Sequence, residues 1–462
     1  MNRVFRLLLL IMGAAGLILH SQAASGSDDA GPEARLDLTG SRQGQAVAFV
    51  DADGDGHDDK LVGAPFAALP SRTGAVLVYR GLATGYDPLP MLVMTGDDNF
   101  GYSLVNLGDV DGDQKDDFAV GALNGSHAEG AEPSLSGTVS IYKGGSKGRL
   151  IGKLAGEGPM DKFGLSLAAG DLNNDGYQDI IIGAPFHTPA PHLYQQGAVY
   201  VFMGPAFKKR IALPAAKGGT GLGWAAAAGD INGDGSADLL IAASGKVLGF
   251  YGGSTFAPSL NSPDVTISGS ATGLGRALAI IGDLDGDGKK EIVLGAPRAT
   301  ISKQRDRGSV FIVRGGTGRR NLDLNASPPD LICRLDGKSL FNRFGYALSP
   351  VVDLDGDGLP ELAVGAPLAD VQESDLSGKV YLFRGKDINT ATTLAQGKEF
   401  NGAVKNQAYG TALAANRKGQ LLIGGPASTM GTGGAAMVDA RAGSTVRGGS
   451  SGGSEGGGED CH

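Results

Sequence analysis

Cysteine is nearly absent from this chain: Cys333 and Cys461 are the only thiols in 462 residues. A fold stapled by several disulfides is thereby excluded. Cys333 reads as a buried thiol, and Cys461 lies near the end of a glycine-rich stretch. Basic residues are in deficit, 40 Lys and Arg against 49 Asp and Glu, for a net charge of −9. That balance disfavours nucleic acid, because phosphates need a basic patch to neutralise them. Convincing helical periodicity is missing throughout, and after the first 23 residues no apolar run is long enough to cross a bilayer.

Those first residues read as an export signal. Arg3 and Arg6 precede an apolar run from Leu7 to Leu19, and Ser21-Gln22-Ala23 is a small-x-small ending suited to cleavage after Ala23. The mature chain is expected to be secreted, periplasmic or associated with the cell surface, without a membrane span.

What the chain has in excess is glycine, 78 residues. Without a collagen period, that abundance fits many tight turns between short strands. Self-comparison shows where they fall. Acidic phrases begin at Asp51, Asp109, Asp171, Asp230, Asp283 and Asp353: "DADGDGHDD", "DVDGDQKDD", "DLNNDGYQD", "DINGDGSAD", "DLDGDGKKE" and "DLDGDGLPE". An aromatic-Gly or related pair precedes most copies ("NFGYSL", "KFGLSL", "GLGWAA", "GLGRAL", "RFGYAL"). A Gly-Ala-Pro-like phrase follows ("LVGAP", "IIGAP", "VLGAP"), and then an alternating apolar strand such as "AVLVYRG" or "KVYLFRG". A seventh copy, "AYGTALAANRKGQLLIGGPA", keeps both flanks and omits the acidic loop.

About four short strands per unit, bounded by Gly, Pro, Asn and Asp, predict one propeller blade each. The expected fold is all-β, a seven-bladed β-propeller over residues 24–440, after a signal peptide at 1–23 and before a flexible Gly/Ser-rich tail at 441–462. The seventh unit stops after its third strand, "AAMVDAR". The N-terminal "ARLDLTG" is therefore expected to supply the missing fourth strand and close the ring.

In Asp-x-Asp-x-Asp-Gly-x-x-Asp, positions 1, 3 and 5 project side chains toward one centre. Position 6 makes a left-handed turn, position 7 offers its carbonyl, and position 9 returns a further carboxylate. Hard oxygen ligands in this order suit Ca²⁺, and no His or Cys side chain stands where it would favour zinc or copper. The candidate ligands of the first loop are Asp51, Asp53, Asp55, the His57 carbonyl and Asp59. The second has Asp109, Asp111, Asp113, Lys115 and Asp117; the third has Asp171, Asn173, Asp175, Tyr177 and Asp179. Next come Asp230, Asn232, Asp234, Ser236 and Asp238, then Asp283, Asp285, Asp287, Lys289 and Glu291. Asp353, Asp355, Asp357, Leu359 and Glu361 complete the set, giving up to six Ca²⁺ sites. Asn173 and Asn232 lower the charge of loops three and four. Gln114, at position 6 of loop two, must adopt a conformation that Gly takes more cheaply. Helical flanks are lacking, so these are not EF-hands.

Phe-Gly, the Asp-rich loop and Gly-Ala-Pro, in that order from residue 34 to about 440, resemble the FG-GAP repeats of the integrin α-chain propeller. The resemblance implies that each calcium loop is the hairpin between the first two strands of a blade, on the lower face. Integrin leg domains, membrane helix and cytoplasmic tail have no counterpart in the sequence, nor has an Asp-x-Ser-x-Ser adhesion motif. The chain is thus more similar to a secreted, prokaryotic-type FG-GAP protein than to an integrin chain, and receptor signalling does not transfer.

Three functional classes follow. The favoured one is a binding or adhesion module for an extracellular protein or glycan. A calcium-dependent polysaccharide- or lipid-processing enzyme is the alternative, since one phospholipase family couples such repeats to a catalytic domain; a purely structural surface protein is the third. Gly448 to Gly452 spells Gly-x-Ser-x-Gly but lies in a Gly/Ser stretch without the strand–turn–helix context of a nucleophile elbow. For binding, the face opposite the acidic loops is expected to serve. Its longer loops carry His127, His187, His192, Tyr194, Arg298, Arg305 and Arg307. Trp224 suits either core packing or an exposed rim.

Overall fold

A computed structural model describes residues 40–440, except 69–72, 97–98, 126–134, 146, 189–194, 216–220, 327, 372–374, 389–396 and 427–432, together with 445–446. The signal segment, most of the Gly/Ser-rich tail, His127, His192, Tyr194 and Cys461 lie outside the described residues. Among those described, helix amounts to one turn, Gly385–Ile388, and a 3₁₀ turn at Leu324–Ala326. The rest is loop and strand, antiparallel except where Arg320–Asp323 adds in parallel to Val265–Ser268 and at isolated bridges.

Each repeat unit forms an antiparallel meander. In the third, Ser166–Gly170, Asp179–Ala184, Ala198–Phe202 and Arg210–Pro214 pair in sequence order. The second strands of units two to six are buried along their whole length, Asp179–Ala184 and Glu291–Ala296 among them. Each is covered on both faces by neighbouring sheets. That is why they read as continuous Ile, Leu and Val runs and do not alternate. The hydrophobic clusters lie accordingly between units. Leu172, Ile181 and Val201 of the third pack with Leu239, Ile241 and Phe250 of the fourth.

The Phe-Gly and Gly-Ala-Pro phrases meet across those interfaces. A Cβ on Gly63 would lie 2.0 Å from the carbonyl oxygen of Gly101, one on Gly183 2.0 Å from that of Gly223, and one on Gly365 2.1 Å from that of Gly410. The second glycine of each pair has positive φ, as at Gly101 (90°) and Gly410 (89°). Glycine is needed on both sides of the contact, on one side for space and on the other for conformation. The last pair closes the ring, since a Cβ on Gly424 would lie 2.1 Å from the Gly44 oxygen. Val47 and Phe49 pack there with Leu422 and Met437.

Two sequence expectations are corrected. The hydrogen-bond ladders do not form seven separate blades. Five sheets of four or five strands stand alone, and the first two units share one eight-stranded sheet. A single parallel bridge, Gly74 to Phe100, joins the meander Val47–Thr95 to the meander Phe100–Ala155. The second concerns the outer edge of the last sheet. That place is held by Thr445–Val446, paired with Gly434–Asp439, inside the segment expected to be a tail. Residues 34–39, the expected closing strand, lie outside the described residues. Among the described residues, face packing at Gly44 and Gly424 closes the ring, a contact that the strand pattern alone does not reveal.

Candidate metal sites in the acidic hairpin loops

Each acidic loop connects the first and second strands of its meander, for example Val47–Val50 to Asp59–Ala68 and Ala277–Ile281 to Glu291–Ala296. The position-1 carboxylate organises the curl. Asp51 accepts N–H bonds from Gly54 (2.9 Å), Asp55 (3.1 Å) and Gly56 (2.9 Å). Asp109, Asp171, Asp230, Asp283 and Asp353 accept equivalent bonds. Positions 4 and 6 need positive φ, as in Gly54 (76°) and Gly56 (82°); Asn174 (57°) and Gln114 (67°) adopt it without glycine's freedom. Gln114 behaves as its sequence position requires.

Position 5 accepts the position-7 N–H: His57 to Asp55 at 2.9 Å, Lys115 to Asp113 at 3.2 Å, Tyr177 to Asp175 at 3.0 Å. Ser236 to Asp234 is 2.8 Å, Lys289 to Asp287 2.9 Å and Leu359 to Asp357 3.0 Å. Six unlike side chains occupy position 7, so its common role is carried by the backbone. The His57 ring turns aside to Lys418, 3.0 Å away.

Position 9 lies deepest. Asp59, Asp117, Asp179, Asp238, Glu291 and Glu361 are all at most 1% exposed. One oxygen of each accepts the position-2 N–H, as in Ala52 to Asp59 (3.1 Å) and Leu284 to Glu291 (2.7 Å). The other oxygen of Asp59, Asp117, Asp179 and Asp238 accepts from Gly81, Gly144, Gly204 and Gly252 at the end of the third strand. In the glutamate loops this second oxygen differs: Oε1 of Glu291 and of Glu361 is buried without a hydrogen-bond partner. Burial pushes these acids up, Asp59 to about 7, Asp179 and Asp238 to about 6, Glu291 to about 8 and Glu361 to about 7, and raises Asp117 as well.

Ligand atoms of Asp283, Asp285, Asp287 and Glu291 lie within 4.8 Å of one another. The same holds for Asp51, Asp53 and Asp55, for Asp109, Asp111 and Asp117, and for Asp353, Asp355 and Asp357. These clusters could hold a metal. Asp113, Asp59 and Glu361 stand outside their triads. In loops three and four the amides of Asn173 and Asn232 each donate to the position-5 carboxylate, Asp175 and Asp234, at 2.9 Å.

Basic side chains that sequence reasoning passed over reach the other four loops. Arg80 pairs with Asp53 (2.8 Å) and Asp55 (3.0 Å), and Lys143 with Asp111 and with Asp113 (3.1 Å). Arg314 pairs with Asp285 and Lys289 with Asp287, while Lys386 pairs with Asp355 and Asp357. The signal is present in the strand endings "VYRG", "IYKG" and "IVRG".

Neighbouring loops are also tied to each other. The N–H groups of Asp116 and Gly145 donate to the carbonyls of Asp51 and Ala52, at 2.9 and 2.5 Å. Those of Ala237 and Gly253 donate to Asp171 and Leu172 at 3.0 and 2.8 Å, and that of Gly316 to Ile231 at 2.7 Å.

The opposite face departs from expectation at His187, which is not an exposed anchor. It is buried, and its Nδ1 lies 2.8 Å from Asp161 Oδ2. Arg307 donates to the Gly337 carbonyl at 2.8 Å, while the Arg298 side chain is 64% exposed. Trp224 is half-buried, edge-on to Phe186 (5.3 Å) and beneath the Arg276 guanidinium (4.1 Å). Together with Arg298 they line a cavity of about 460 Å³.

Comparison with known proteins agrees with this architecture. The FG-GAP repeat profile matches residues 163–202 and 344–383, and an FG-GAP-like repeat profile matches 109–182 and 230–294. The chain is an FG-GAP repeat protein. It is similar to integrin alpha-PS2 of Drosophila melanogaster, 27% identical over 65% of this chain and 17% of that protein. Human integrin alpha-7 is 31% identical over 55% of this FG-GAP chain and 16% of its own length. Phosphatidylinositol-glycan-specific phospholipase D of Bos taurus is 28% identical over 78% and 48% respectively. The FG-GAP chain thus spans at most about half the length of these relatives.

Proposed function

We propose that this is an exported, calcium-binding propeller that acts as a binding or adhesion module for an extracellular protein or glycan. The observation that carries the calcium reading is the unpartnered Oε1 of Glu291, fully buried and grouped with Asp283, Asp285 and Asp287. A buried carboxylate oxygen without a donor is costly, and an oxygen-seeking cation is the partner this set fits. Glu361 repeats the feature. The position-1, -3 and -5 carboxylates, with the position-7 carbonyls, would hold the ion, and the metal would tie each hairpin to its second strand. The integrin relatives and the Trp224–Arg298 cavity support a binding role for the face opposite the loops. Differential scanning calorimetry with chelator and with millimolar calcium tests the metal. An extracellular-protein and glycan array tests the ligand class. A melting temperature that ignores calcium overturns the first reading, and an array without saturable binding overturns the second.

One observation favours an enzyme instead: the match to the phospholipase D covers 78% of this chain. Release of a phosphatidylinositol-glycan anchor by the purified protein would establish that reading.

A further inference from the structure

The residue that ends the third strand, just before the glycine facing position 9, varies with position 3 of the loop beside it. It is Arg80, Lys143, Arg314 and Arg384 where position 3 is Asp53, Asp111, Asp285 and Asp355. It is Met203 and Tyr251 where position 3 is Asn173 and Asn232. Met203 is buried in the core, and the Tyr251 hydroxyl donates to the Gly316 and Gly318 carbonyls, so neither brings charge to its loop. In the last acidic unit Arg384 pairs with Asp387, and Lys386, two residues on, reaches Asp355 and Asp357.

Position 5 shows the same exchange from the acceptor's side. Its outer oxygen receives Arg80 at Asp55, Lys143 at Asp113, Lys289 at Asp287 and Lys386 at Asp357. In the two asparagine loops it receives the loop's own amide. Four carboxylates with one strand-end cation, and three carboxylates with an amide, carry the same formal charge; in loop five Lys289 adds a second cation at Asp287.

We propose that the basic residues Arg80, Lys143 and Arg314 at the strand ends, and Lys386 just past one, are resident counter-ions that a divalent cation must displace, so that the six loops form two classes. Loops one, two, five and six exchange an internal positive charge for the metal; loops three and four capture it directly. The inference rests on the calcium reading above. It draws its site from the buried, unpartnered Glu291 and Glu361 oxygens and its exchange partner from the ion pairs. Four mutually repelling carboxylates need a cation in the metal-free protein, and the same cation competes with the ion afterwards. The outer ends are well placed to leave, since the side chains of Arg80, Arg314 and Lys386 are 45%, 41% and 44% exposed.

Arg314→Met and Arg80→Met, each copying Met203, provide the test in the full chain, with calcium ions as the probe. In chelator each variant should melt below the parent protein, and in saturating calcium the gap should close or reverse. Isothermal titration should show an unchanged number of sites, with one of them tightened by about threefold, the size expected for removing one exposed charge pair. The double change Asp285→Asn with Arg314→Met should return that site to the parent affinity. Equal melting shifts with and without calcium, or an unchanged or weakened site in Arg314→Met, would overturn the counter-ion role while leaving calcium binding intact. A parent protein that takes up no calcium would overturn both readings.

Discussion

The sixth and seventh units are built on one plan and differ in the hairpin that opens them. In the sixth, Val351 pairs with Glu361 across residues 352–360, an acidic loop whose N–H groups at Gly356 and Gly358 donate to Asp353. In the seventh, Ala415 pairs with Leu421 across residues 416–420. There Asn416 alone closes the turn, accepting from the N–H groups of Lys418 (3.1 Å) and Gln420 (2.9 Å), with Gly419 at φ 76°. Both hairpins lead into the same buried second strand and the same glycine contact with the next unit. A propeller unit therefore does not need the acidic loop in order to fold. Six loops of mutually repelling charge call for a separate reason, and the metal proposed above is one that their chemistry fits.

Four experiments sharpen that contrast. The largest effect should be that of calcium on the whole protein: each site held at a hundredfold excess over its dissociation constant adds about 2.7 kcal/mol. With several sites per chain, chelation should lower the melting temperature by tens of degrees, read by calorimetry. Second, the glycine contacts common to both units should be far less tolerant than their hairpins. Gly365→Ala would place a methyl 2.1 Å from the Gly410 carbonyl and should cost about 3 kcal/mol in chemical denaturation. Third, replacing residues 352–360 by the sequence of 416–420 should give a folded protein lacking one calcium in titration, with the strand signature in circular dichroism retained. Unfolding of that graft would show that the acidic loop is structural after all.

The smallest effect concerns pH. The hydrogen bond to Asp161 raises the pKa of buried His187. The folded form holds its proton more tightly than the unfolded one, so the pair's stabilisation is complete below about pH 6.5 and is lost as pH rises through the raised folded value. His187→Gln should flatten this part of the pH–stability curve, with a change of about 2 °C in melting temperature below pH 6.5.

Much of this was legible in the residues. The order Phe-Gly, acidic phrase, Gly-Ala-Pro marks strands and hairpins, because glycine spacing and carboxylate register are local properties. The burial of position 9 was not legible, since Asp59 and Asp55 look alike until the second strand is covered on both faces. Nor was the last edge: Thr445–Val446 carries too little apolar pattern to announce a strand, and its partner Met437–Val438 settles the pairing. Arg80 and Lys143 stand at strand ends in the sequence, and their meaning depends on Asp53 and Asp111 brought close by the fold.

Hydrogen bonds join loops one and two, and loops three, four and five, into two runs along this rim. Asp116 and Gly145 hang from the carbonyls of Asp51 and Ala52, and Gly253 and Gly316 likewise hang from the loops before them. A loop drawn inward would carry with it the amides of its neighbour, and through them the start of the next second strand. Load applied to one blade is thus passed to its neighbour within each run, as tension passes between links. Removing the metal from one loop should accordingly quicken amide exchange in the following loop, where no ligand has been lost.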